Sequence, residues 1–166
     1  MTDGQENDLD ILFLIGCWEG ESKRYRVYNL VEGLDSWGYR TNTLDYSDCG
    51  RIVDEGMRPK AIVFFRSPFD PGKRIVEVLE YCRLNHIKTI FDIDDYVFEP
   101  SIIDDIAGVA YLDEKQRADY EWGVRAYRSL AFCCEHVTTT TDYLATKMRE
   151  LGRDVTVVPN TVNLAQ

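Results

Sequence analysis

Three carboxylates fall within four residues at Asp92-Ile93-Asp94-Asp95. Like charges at that spacing repel and raise one another's pKa. Stability gives no reason to gather them, so the cluster is a candidate site. Three tasks suit it: hydrogen bonds to sugar hydroxyls, general-base work, or oxygen ligation of a divalent cation. The competing structural reading is one helix-capping Asp with solvated neighbours. A second group is cationic. The stretch from Gly16 to Arg26 carries Gly16, Gly20, Ser22, Lys23, Arg24 and Arg26 at an expected helix start, where free N–H groups attract anions. Its glycine spacing fits neither a dinucleotide fingerprint nor a phosphate-binding P-loop. The alternative there is ordinary charge on a solvated first turn. Arg66-Ser67-Pro68-Phe69-Asp70-Pro71-Gly72-Lys73-Arg74 adds further cations, or is simply a proline-bracketed turn and helix cap.

Other candidates are weaker. Cys133, Cys134 and His136 have zinc-ligand chemistry, but adjacent cysteines rarely both reach one ion and no fourth ligand stands near. The five cysteines form no CxxC pair and read as reduced cytosolic thiols. A receiver-type phosphoacceptor would need an acidic pair after the first strand, where this chain has Gly16-Cys17. Tyr111, Tyr120, Trp122 and Tyr127 fall at helical spacing and read as core. His86, after a helix end, reads as structural.

These groups need a scaffold, and the hydrophobic pattern supplies one. Apolar runs at 10–15, 61–65 and 88–91 suit strands buried on both faces of a parallel sheet. Residues 39–44, 136–140 and 155–158 read as three more strands. Between them, helical periodicity predicts helices over 22–37 (with Ser22 as cap), 71–85, 114–132 and 141–151, and a weaker one over 49–57. Residues 96–113 are irregular. Strands alternating with helices predict an α/β fold, a doubly wound parallel sheet with helices on both faces. In such sheets ligands bind beyond the carboxyl ends of the strands, which is where both charged groups fall.

At 166 residues and 45% hydrophobic, the chain has one domain's worth of sequence and can bury a core. Net charge of −10 argues against a general nucleic-acid binder, which needs clustered excess cation, while leaving room for a local basic patch. The N-terminus is acidic and polar, unlike a signal peptide, and no apolar run approaches the roughly 20 residues that span a bilayer. A cytoplasmic location is expected. The expected organisation is a flexible tail at 1–9, a domain at 10–160, and the start of a linker at 161–166, as though cut from something longer.

Several segments together resemble the N-terminal domain of a GT-B glycosyltransferase of the large family-4 type. The most telling run from His136 to Leu144, through Leu151-Gly152, to Val155-Thr156-Val157-Val158-Pro159-Asn160-Thr161-Val162-Asn163. Thr141-Asp142 stands where the family has Ser-Glu, and Thr161 where it usually has Gly. The stretches 22–30 and 91–98 resemble a subgroup with an Asp-rich end to the fourth strand. The resemblance implies a Rossmann-like half of a two-domain enzyme, with sugar moving from a nucleotide-sugar donor to a saccharide or lipid-linked acceptor. Polysaccharide or glycoconjugate biosynthesis is the implied setting, and peripheral membrane association of the full enzyme fits a lipid-linked acceptor. It implies no cofactor and no protein-bound metal. This chain alone is expected to be inactive, because donor binding belongs to the second domain. Asp92 and Asp94 become the catalytic-site residues contacting hydroxyls, with Asp95 capping the next turn. Gly16, Ser22, Lys23, Arg24, Arg26, Arg66 and Thr141 become the acceptor- or phosphate-binding group. A non-catalytic ligand-binding or regulatory α/β domain of flavodoxin-like type is the alternative.

Overall fold

The structure is a computed structural model describing residues 9–17 and 20–161. The tail at 1–8, Trp18 and Glu19 of the cationic loop, and linker residues 162–166 lie outside the described residues. Six strands form one sheet: β1 (Ile11–Ile15), β2 (Thr41–Asp45), β3 (Ala61–Phe65), β4 (Lys88–Ile93), β5 (His136–Thr139) and β6 (Val155–Val157). Their order is β2-β1-β3-β4-β5-β6 and every pairing is parallel. Among the described residues five α-helices connect them: α1 (Asn29–Ser36), α2 (Arg51–Asp54), α3 (Ile75–Leu84), α4 (Glu114–Cys133) and α5 (Asp142–Glu150).

Strand alternation divides the core in two. Leu12, Leu14, Ile62, Phe64, Phe91, Ile93, Val137 and Val155 point to one face and pack against α2, α3, α4 and α5. Phe13, Ile15 and Phe65 point to the other, against Val27, Leu30 and Leu34 of the first helical segment. The imbalance follows from topology. Only the β1-to-β2 connection runs toward the β2 edge; every later step lies the other way. Since parallel crossovers are right-handed, α1 alone falls on its face. Removing a fully buried ring such as Phe64 would cost about 3–5 kcal/mol.

The expected doubly wound α/β architecture is present, with local differences. β4 runs on to Ile93, so Asp92 is a strand residue with a fixed facing. Residues 49–57 give only the single turn of α2, after a 3-10 turn at Tyr46–Asp48. The irregular stretch holds two 3-10 segments, Pro100–Asp105 and Ala107–Tyr111. Ile103 and Val109 pack there with Val124 in a small cluster of their own. Tyr111 and Trp122 are exposed rather than core, because they face away from that cluster. Among the described residues, no helix is long and apolar enough to cross a membrane.

Candidate functional site

The sheet order reverses at β1, which pairs with β2 on one side and β3 on the other. The crevice beyond such a reversal is where open α/β sheets bind ligands. Gly16 leaves β1 there with its N–H donating to the Phe65 carbonyl at 2.9 Å. A Cβ at Gly16 would collide with the Arg66 carbonyl and the Ser67 Cα, so no other residue fits this approach. Arg66 takes φ 41°, a left-handed conformation that costs a non-glycine residue roughly 1–2 kcal/mol. Its N–H donates to the Asp92 carbonyl at 2.9 Å, which ties the turn to β4.

That turn aims the Arg66 side chain along the strand ends. Nε donates to Asp94 Oδ1 at 2.5 Å, and Nη2 donates to Asp95. Burial pulls the guanidinium pKa down, but the Asp94 and Asp95 carboxylates outweigh it, and the net shift is upward. The Asp94 side chain is nearly buried, at 8% exposure, whereas that of Asp95 is 60% exposed. Two α4 tyrosines join them electrostatically. Burial raises the Tyr120 pKa, with Asp95 adding to the rise and Arg66 opposing it. Tyr127, also raised by burial, feels Cys17 and Arg66. Loop and helix are joined where Phe69 N–H donates to the Ala126 carbonyl at 3.0 Å. A nearly buried carboxylate, an exposed one and an arginine form a set suited to polyhydroxylated ligands. The helical spacing of Tyr120 and Tyr127 was visible in the sequence, but their coupling to Arg66 and Asp95 was not.

Asp92 does not belong to this group. It faces the α1 side of the sheet, where Arg26 Nε donates to Oδ2 at 3.0 Å and Nη2 donates to Oδ1. Thr138 Oγ1 donates to Oδ1 at 2.5 Å. Both side chains are buried, at 0% and 2% exposure. The expected mutual repulsion of the three carboxylates is therefore overturned. β4 ends at Ile93, so Asp92 is fixed within the strand against one guanidinium, while Asp94 and Asp95 lie in the loop beyond it and pair with another.

The expected anion site is also corrected. A π-helical segment at Arg24–Tyr28 turns Arg26 inward, where Nη1 donates to the Val158 carbonyl and, at 3.4 Å, to Asn160 Oδ1. Arg24 pairs with Glu32 at 2.7 Å. Lys23, at the start of that segment, makes no side-chain cap. Ser22 lies within the first helical turn rather than ahead of it. Thr141 caps α5, its hydroxyl accepting from Leu144 N–H at 3.2 Å. Asp95 pairs with Arg66 instead of capping the next turn. Among the described residues, no group of three or more His, Cys, Asp or Glu side chains is placed to hold a metal ion.

These features define a Rossmann-like α/β domain with a cluster of polar side chains at the carboxyl ends of β3 and β4. Compared with known families and curated proteins, the sequence matches no family model and no curated protein.

Proposed function

We propose that the chain is the acceptor-side domain of a glycosyltransferase, binding a saccharide or lipid-linked saccharide at the carboxyl end of the sheet while a separate domain holds the nucleotide-sugar donor. The observation that carries this reading is the Arg66–Asp94–Asp95 cluster beside Tyr120. Its carboxylates accept from hydroxyls, and the guanidinium already bonded to them favours hydroxyl over phosphate. In this reading Asp94 and Asp95 contact acceptor. Asp92, fully engaged by Arg26 and Thr138, is a positioning residue that ties β4 to β5 and to the π-helical segment ahead of α1.

The strand order also favours a second reading. The run β2-β1-β3-β4-β5, with its reversal between β1 and β3, is that of flavodoxin-like domains, so a non-catalytic ligand-binding or regulatory domain remains the rival. A glycan array probed with the purified chain separates the two. The glycosyltransferase reading expects saccharide hits that weaken at least tenfold in folded Asp94→Asn. An array with no hits, or hits indifferent to Asp94→Asn, removes the reading.

A further inference from the structure

Helix α4 buries Val124, Leu130 and Ala131 on its inner side and leaves its outer side open. At the centre of that outer side stands Trp122, 51% exposed. Asp119 lies three residues before it and Arg125 three residues after, both exposed. Among the described residues, no ion pair, side-chain hydrogen bond or ring contact engages any of these three side chains. Other arginines of the same helix are committed. Arg117 pairs with Asp104 and Glu121, and Arg128 pairs with Glu99 and lies over the Phe132 ring at 5.9 Å.

An acid, an indole and a base at equal spacing form a charge palindrome. Three residues along a helix are about 4.5 Å of rise and a turn of about 60° to one side, so Asp119 and Arg125 flank Trp122 symmetrically. A two-fold axis through Trp122 makes each residue face the one equally far beyond Trp122 in the other copy. It sets Asp119 against Arg125 twice, brings the two indoles together, and sets Lys115 against Ser129. No like charges meet. The outer charges Glu114, Lys115, Asp119 and Arg125 cancel, so two copies of a chain with net charge −10 meet there without local repulsion. Exposed Ala118 and Ser129 beside Trp122 are small enough to let a second helix approach. Any other partner would need its own base, aromatic and acid in matching order, whereas a second copy supplies them by symmetry.

We propose that the chain forms a symmetric dimer through the outer side of α4, the two helices antiparallel about Trp122. The inference does not depend on the chain acting on sugars. The contact is one helix wide and, at 20 residues, about 30 Å long. It falls short of the roughly 800 Å² per partner of a standard interface, so the dimer is weak and reversible. Sedimentation equilibrium of the whole chain over a concentration series tests it, and a monomer–dimer equilibrium is expected. Asp119→Arg and Arg125→Asp each place like charges opposite one another, twice across the two-fold, and each should weaken the dimer at least tenfold. The double variant D119R/R125D restores both pairs with their order reversed and should dimerise like the native chain. All these positions are exposed, and unchanged circular dichroism is expected for every variant. A monomer at every concentration, a dimer indifferent to the single reversals, or a double variant no stronger than the singles would overturn the proposal. So would native-like dimerisation of Trp122→Ala.

Discussion

At the scale of single residues, Asp92 shows how a partner changes a side chain's meaning. Viewed as one of three crowded carboxylates, it should relieve strain when neutralised. Buried against Arg26, it does the opposite, because removing one member of a buried ion pair strands the other charge. Asp92→Asn is expected to lower unfolding free energy by about 3–5 kcal/mol in urea denaturation. Arg24→Ala breaks only an exposed pair and should change it by less than about 1 kcal/mol. Equal effects of the two substitutions would contradict the assignment. The sequence displayed the carboxylates plainly. Their arginines were hidden, because Arg26 lies 66 residues from Asp92, and Arg66 lies 28 from Asp94. Only the sheet register brings them together.

Among the elements, strands and long helices were legible because their apolar periodicity is what the sheet buries. The π-helical segment was not. Arg26 stands one turn before Leu30 on the face that packs against the sheet, and nothing in the apolar spacing marks the bond from Asn29 N–H to the Arg24 carbonyl, five residues back. The irregular stretch was hidden for another reason: its 3-10 segments are held by capping, by the ion pairs Arg128–Glu99 and Arg117–Asp104, and by the small cluster around Val124 rather than by periodicity. Glu99 accepts from Ser101 N–H at 3.1 Å and from Arg128 Nη1 at 2.6 Å. Burial raises the Glu99 pKa, but these partners outweigh it, and the net shift is below the usual glutamate value of 4.5. A carboxylate with a depressed folded pKa stabilises fully above its unfolded pKa and loses that contribution as pH falls through the folded one. Below about pH 4.5, amide protection across 99–112, corrected for the intrinsic exchange rate at each pH, should therefore fall in the native chain, and Glu99→Gln should show the lower protection already at pH 7. Exchange in that segment that ignores both pH and the substitution would show that Glu99 does not anchor it.

For the molecule as a whole, topology places function. One connection toward β2 and four the other way put the reversal at β1, open a crevice beyond β1 and β3, and leave one sheet face with a single helix. The alternation of strands and helices announced the fold class. It could not announce the strand order, which depends on pairing between distant segments, and so it could not bring Arg66 beside Asp94 and Asp95. The central claim is that saccharide binds in the crevice. Amide and side-chain NMR shifts, followed while the strongest array saccharide is titrated into the chain, test it most directly. The account predicts saturable shifts concentrated at Gly16, Arg66, Asp94, Asp95 and Tyr120, absent in Asp94→Asn. Shifts centred instead on Leu30, Gly33 and Ile90, or spread without saturation, would contradict it.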